Sequence, residues 1–244
     1  LWPSCRLLLR ITAPKDKTVS VMSELTKFWY LKQFNLFSEL SREEMQMMAD
    51  MTTMSPFPEK GILFFPGDTP DSVFLLKEGH VKISRMVEDG RKLTLDILNP
   101  GEIFGESAIT GSDAERDTMA EALTPVIVCV ATKERFGDFL KRRPDLVFRV
   151  TKWMGFRLKK IETRLESLIF KSVPARLAEL LVRLADEYGK PSKRGTEIGL
   201  KLTHQELSEL IASTRETTSA IIGNFRDKKW IDTEGRKIVV LNRQ

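Results

Sequence analysis

Residues 203–228 read THQELSELIASTRETTSAIIGNFRDK. Thr203 stands where a helix cap belongs, and Glu206, three residues on, completes a capping box. Leu207, Leu210 and Ile211 then fall on one helical face. A three-residue turn, Ala212–Thr214, separates this helix from a second one expected from Arg215 to about Lys228, with Thr218, Ile221, Ile222 and Phe225 directed inward. Helix, short turn and helix at this spacing let the second helix lie in a DNA major groove. Its first outward residues, Arg215, Glu216 and Ser219, are the base-reading candidates. Arginine donates two hydrogen bonds to guanine O6 and N7, and glutamate accepts one from cytosine N4. Thr203, His204, Thr217, Arg226 and Lys228 suit phosphate, where contacts position without specifying. Trp230–Thr233 and Lys237–Leu241, turned at Glu234–Gly235, form an expected strand pair, a wing, with Arg236 as a further phosphate ligand. Taken alone, 203–228 also fits an ordinary helical hairpin in a core.

Upstream, Ala175–Glu187 is expected as an amphipathic helix with Leu177, Leu180, Leu181 and Leu184 inward, and Gly189–Gly199 as a polar, basic loop. Pro144 opens a longer helix reaching about Phe170. Within it Val147, Met154, Ile161 and Leu168 recur every seventh residue, and Thr151, Leu158 and Leu165 fall four residues after the first three. That is the a/d seam of a coiled coil. A helix packed on its own domain is the plain alternative. A stripe of this length needs a partner of equal length, so Val147, Met154, Leu158, Ile161, Leu165 and Leu168 are expected to join two copies.

Between Phe57 and Val130 the texture is different. Ile62–Phe65, Val73–Lys77, Val81–Met86, Leu93–Leu98 and Val126–Val130 are short strand-like runs punctuated by glycine, with Asp89–Gly90 a hairpin signal. Short strands at regular spacing predict a small antiparallel barrel or jelly roll. Helical patterns flank it, over Ser23–Met54 with a capped segment at Ser41–Met51, and over Phe136–Leu140. The expected fold class is α+β: an N-terminal antiparallel β-roll, a long dimerisation helix and a C-terminal winged helix-turn-helix. The units are 23–143 for the sensor roll with its helices, 144–171 for the dimerisation helix and 172–244 for the winged domain, with 1–22 a disordered extension.

Composition narrows the function. The 244 residues are 41% hydrophobic and 30% charged, an ordinary globular balance. The net charge of +5 favours an anionic partner, and basic side chains outnumber acidic ones from Lys171 onward. Cys5 and Cys129 cannot build a zinc ribbon or an iron–sulfur cluster within one chain. His80, in an alternating strand pattern, and His204, at a helix start, do not form a metal or triad constellation. No apolar run reaches membrane-spanning length, and a cytoplasmic protein without catalytic residues is expected. No carboxylate pair, triad or phosphate loop appears at usable spacing.

From about Phe28 to Asn242 the chain resembles the CRP/FNR superfamily of bacterial regulators. The carriers are Gly61–Gly67 (GILFFPG), Val73–Gly79 (VFLLKEG), Pro100–Glu106 (PGEIFGE), Leu202–Ile211 and Ser213–Thr217. The resemblance implies a cyclic-nucleotide-binding-like roll as sensor, promoter DNA as target, a homodimer, and RNA polymerase as a partner, with exposed Glu88, Asp89 and Gly189–Gly199 as candidate contacts. In cyclic-AMP-binding members a Gly-Glu pair holds the ribose and an Arg-Ser pair holds the cyclic phosphate. Gly105, Glu106 and Arg116 match that pattern, but Asp117 takes the serine's place. A carboxylate facing a phosphate is repulsive, severely so in a partly buried site. Ile161 and Glu162 stand where members place small hydroxyl residues against the adenine. Glu106 and Arg116 are free to pair with one another and leave the pocket structural. Cyclic AMP is therefore disfavoured, and the effector is left open.

Two further departures concern DNA and metal. Members that read TGTGA half-sites follow the Arg-Glu pair with a second arginine, where this chain has Ala220. The expected half-site keeps the G·C read by Arg215 and Glu216 and changes preference at the outer position. Iron–sulfur sensors of the family need a cysteine cluster that this chain lacks. Two alternatives stay open: a ligand-independent DNA-binding regulator of the same fold, and a cyclic-nucleotide-binding module that acts on a protein partner.

Overall fold

The computed structural model describes residues 41–87, 90–108 and 115–241. The expected extension 1–22 and the first helical pattern after Ser23 lie outside the described residues, as do Glu88 and Asp89. Helix α1 (Arg42–Met51) begins at a full capping box, in which Ser41 Oγ accepts from the Glu44 amide and Glu44 accepts from the Ser41 amide. Eight strands follow: β1 (Thr53–Phe57), β2 (Ile62–Phe64), β3 (Ser72–Glu78), β4 (Val81–Met86), β5 (Lys92–Leu98), β6 (Ile103–Phe104), β7 (Met119–Ala122) and β8 (Val126–Thr132). They form two antiparallel sheets, ordered β1-β8-β3-β6 and β2-β7-β4-β5. This is the expected β-roll.

Strand β3 shows why the run Val73–Leu76 is apolar without alternation. Phe74 and Leu76 point between the sheets, joining Phe64, Phe104, Val126 and Val128. Val73 and Leu75 point to the outer face, against Met45, Met48, Phe136, Phe139 and Leu146. A strand covered on both faces carries apolar residues at every position. The outer cover comes from α1, from α2 (Lys133–Arg142), and from the first turns of α3 (Pro144–Phe170). Helix α3 has 27 residues, so it runs about 40 Å. Its fully buried residues, Leu146 and Val150, lie in its first part.

The C-terminal part comprises α4 (Val173–Tyr188), β9 (Gly189–Ser192), β10 (Gly195–Ile198), α5 (His204–Leu210), α6 (Arg215–Asp227), β11 (Ile231–Glu234) and β12 (Lys237–Leu241). Gly189–Gly199 is thus not the expected loop. It is a hairpin that extends the wing into a four-stranded sheet ordered β11-β12-β10-β9. Leu177, Leu181, Leu184, Leu207, Ile222, Phe225 and Ile238 make a core for this part. Among the described residues no helix is long and apolar enough to cross a membrane.

Phe104 is fully buried, its ring 5.0 Å from Phe74 and 6.3 Å from Phe64 between centroids. Phe104→Ala is expected to lower the stability of the roll by about 3–5 kcal/mol in denaturant unfolding.

Candidate nucleic-acid interface

The two helices α5 and α6 are each started by a threonine. Thr203 Oγ1 accepts from the Glu206 amide at 3.1 Å, and the Thr203 amide donates to Glu206 at 2.7 Å. Thr214 Oγ1 accepts from the Thr217 amide at 3.1 Å. Ala212, between them, sits in the left-handed region at φ 49°, which costs a residue with a side chain of its size about 1–2 kcal/mol. The Ser213 amide closes the turn on the Ser208 carbonyl. Buried Leu207, Leu210, Ile211, Thr218, Ile222 and Phe225 fix which face of each helix is inward.

That packing leaves Arg215, Glu216 and Thr217 exposed on the first turn of α6. Ser219, the third base-reading candidate, is half-buried, and its hydroxyl lies 2.8 Å from His204 Nδ1. Its polar atom is engaged inside the protein, so it is not a free reader. Thr203, His204, Arg215 and Arg236 meet around one cleft of roughly 390 Å³, which Gln205 and Thr233 complete. Arg226 and Lys228 are exposed at the other end of α6, about 16 Å along the axis from Arg215. Lys228 Nζ lies over the Trp230 ring. The phosphate candidates thus form two groups at the two ends of α6.

The reading head is docked on the roll. Ile97 of β5 is a buried member of the core built by α4, α5 and α6. Lys82 of β4, 5% exposed, lies 3.5 Å from both Glu121 of β7 and Glu209 of α5. Glu209 also accepts from Thr94 and Gln205. Arg164 of α3 donates to the Leu95 carbonyl of β5 at 2.6 Å and to the Leu210 carbonyl of α5 at 2.5 Å. Burial, aided by the like charge of Arg183, pulls its pKa down to about 10. Opposite Arg215 and Glu216, across a cleft of roughly 700 Å³, stand Val87, Arg91 and Lys92 of the β4–β5 turn. Sequence reasoning missed these couplings. A lysine between Val81 and Ile83 carries no sign of a partner 127 residues on.

His80 lies in the turn between β3 and β4, not within a strand. Its ring meets Tyr188, at the end of α4, edge-on at 5.2 Å. Burial holds its pKa below the ordinary value of 6.5, against opposing hydrogen bonds from Asn99 and the Leu98 backbone.

The sensor-pocket candidates are rearranged relative to the expectation. Arg116 is 5% exposed, donates to the Ser72 carbonyl at 2.7 Å and stacks over Phe64 at 4.2 Å. Gly105 permits this: at φ 78°, an added Cβ would lie 2.9 Å from the Ser72 oxygen and 3.2 Å from the guanidinium. Glu106 pairs not with Arg116 but with Arg157 of α3, at 3.1 Å. Asp117 turns outward to pair with Arg85. Glu162 is exposed and paired with Lys159. Ile161 stands 45% exposed on α3. Gly105, Glu106 and Arg116 are brought together; Asp117, Ile161 and Glu162 do not join them within one chain.

Two family models match the chain: a cyclic nucleotide-binding domain over residues 55–143 and a Crp-like helix-turn-helix domain over residues 175–244. The chain is 35% identical to the global nitrogen regulator of Nostoc sp. over 185 residues, which are 75% of this chain and 83% of that protein. It is 28% identical over 184 residues to the CRP-like cAMP-activated global transcriptional regulator of Mycobacterium tuberculosis, covering 75% and 82% of the two. A CRP/FNR-family transcriptional regulator of Thermus thermophilus matches with a TM-score of 0.66 at 27% identity, over 78% of this chain and 94% of that one. The c-di-GMP responsive global regulator CLP of Xanthomonas campestris shares the fold at a TM-score of 0.76 and 20% identity, over 83% of this chain and all (100%) of that one.

The depressed pKa of His80 gives a pH dependence with a defined sign. Above 6.5 the ring is neutral whether the junction with Tyr188 is closed or open, and the contact has its full strength. Below 6.5 the opened form takes up protons first, so the junction weakens as pH falls towards the depressed value. Hydrogen exchange at the end of α4 is expected to quicken between about pH 7 and pH 5.5 beyond the intrinsic rate change, and His80→Gln is expected to flatten that response.

Proposed function

The chain belongs to the CRP/FNR superfamily of DNA-binding transcription regulators, and we propose that it acts in the cytoplasm as a homodimer on an inverted-repeat promoter site, with α6 of each copy in a major groove. The observation that carries this reading is the exposed Arg215–Glu216 pair on a capped helix, flanked by the cleft of Thr203, His204 and Arg236. In it, Arg215 reads guanine and Glu216 reads cytosine. Thr203, His204, Thr217, Arg226, Lys228 and Arg236 hold phosphates and set register.

The homodimer is supported by α3. Val147, Met154, Leu158, Ile161 and Leu165 stand 39–57% exposed in one stripe that the described residues do not cover. A second α3 offers an identical stripe of equal length. Paired helices place the two reading heads about one DNA turn apart, roughly 34 Å. A signal received in the roll shifts it against α3 and, through Arg164 and the Lys82–Glu209 contact, moves the reading heads. Any such signal acts through its differential affinity for the two arrangements.

That signal is not cyclic AMP in this reading. Glu106 is engaged by Arg157 and Arg116 by Ser72, and a carboxylate at Asp117 follows. The same internal pairing favours, as a second reading, a regulator that needs no small molecule. Specific DNA binding by protein purified without added ligand separates the two. RNA polymerase contact through the exposed residues of the Gly189–Gly199 hairpin, Lys190, Pro191, Lys193 and Arg194, completes the proposal.

Arg215→Ala is expected to weaken binding to the selected site by about 1–3 kcal/mol and to relax preference at one G·C pair per half-site, measured by anisotropy at fixed salt. Unchanged preference would remove α6 from the reading role. Leu158→Glu, in the seam, is expected to yield monomers in sedimentation and to lose tight binding to the two-half-site duplex while keeping the fold.

A further inference from the structure

The outward strip of α6 changes chemistry after one turn. Thr218, Ile222 and Phe225 are buried and mark the inward face. By helical phase the residues directly opposite are Glu216, Ala220, Gly223 and Asp227; Arg215, roughly 100° round the axis from Glu216, is exposed because it is the first residue of the helix. In the first turn of the helix the exposed hydrogen-bonding side chains are Arg215, Glu216 and Thr217, and Asn224 flanks the strip further along. Ser219 is half-buried and its hydroxyl is engaged by His204 at 2.8 Å. Next along the strip come the exposed methyl of Ala220 and the bare backbone of Gly223, above which an added Cβ would meet nothing within 4 Å. At the far end stands the carboxylate of Asp227, which phosphate repels.

In the major groove G, C and A offer only hydrogen-bonding groups at their edges; thymine alone offers a methyl. An alanine methyl laid on the other three strips water from donors and acceptors and returns no partner. Laid on thymine, it buries one methyl against another. We propose that Ala220 is a specificity-determining residue of this protein, selecting a thymine through its 5-methyl group next to the G·C pair read by Arg215 and Glu216. Gly223 leaves room for the close approach, and Asp227 confines reading to the first turns of α6. This inference rests on the reading of α6 as the helix that enters the major groove.

The test uses the full chain and duplexes selected from a random pool. Each thymine of the selected half-site is replaced singly by uracil, which removes only the methyl, and binding is measured by anisotropy at fixed salt. One position per half-site is expected to lose affinity about fourfold, the effect of one buried methyl. Ala220→Gly and Ala220→Ser are both expected to bind thymine and uracil duplexes equally at that position while keeping the G·C preference. The serine variant guards against loosening of the helix by glycine. Uracil tolerance at every position in the unsubstituted protein overturns the inference, as does thymine discrimination that survives in both variants. If Arg215→Ala also leaves every preference unchanged, the assignment of α6 falls with it; if Arg215→Ala relaxes the G·C preference as expected, only the role of Ala220 is lost.

Discussion

Three parts of the molecule meet at one buried guanidinium. Arg164 belongs to the long helix α3, yet its two hydrogen bonds end on a carbonyl of the roll and a carbonyl of the reading head. The cleft around these bonds is lined by Leu95, Ile97, Leu180 and Leu184 together with Asp96, Lys160 and Arg183. No carboxylate lies at ion-pair distance from this cation among the described residues, so its charge is balanced by carbonyl dipoles and by Asp96 at longer range. Ile97 and the Lys82–Glu209–Glu121 cluster reinforce the same junction from the roll side. The position of α6, and hence of Arg215, follows from this arrangement.

Much of the architecture was legible because it depends on local rules. Both helices of the reading head, the cap at Thr203, the start of α3 at Pro144 and its end at Phe170 follow from capping, proline placement and apolar period; the cap at Thr214, read in the sequence as part of the turn, did not. Strands whose stability comes from a neighbour were not legible. In β9, Lys190, Pro191 and Ser192 show no alternation, and Pro191 is tolerated because the strand lies at a sheet edge. β1 contains Pro56 and lies at an edge beside β8, while β7 reads Met-Ala-Glu-Ala, a weak strand former by propensity. Arg215 and Glu216 were found by pattern. The engagement of Ser219 by His204 was not, since it depends on the crossing of α5 and α6.

The sensor pocket illustrates how a motif is kept while its chemistry changes. Gly105, Glu106 and Arg116 retain their places because the backbone there is constrained: the glycine sits against the Ser72 carbonyl, and the arginine stacks on Phe64. Glu106, however, reaches across to Arg157 of α3. The roll is therefore tied to α3 by a contact inside the pocket itself. A molecule that competes for Glu106 acts on α3 without any longer relay.

The burial of the Lys82–Glu209 junction sets it apart from the exposed basic side chains of α6 and the wing. Lys82 and Glu209 lie beyond the reach of mobile ions, whereas Arg215, Arg226, Lys228 and Arg236 stand in solvent. Dissolved counterions screen exposed charges within about 10 Å at ordinary ionic strength and leave enclosed ones nearly untouched. Added salt would then loosen a grip on DNA through counterion competition. It would leave the internal geometry in place, so a protein released by salt would keep the arrangement with which it binds.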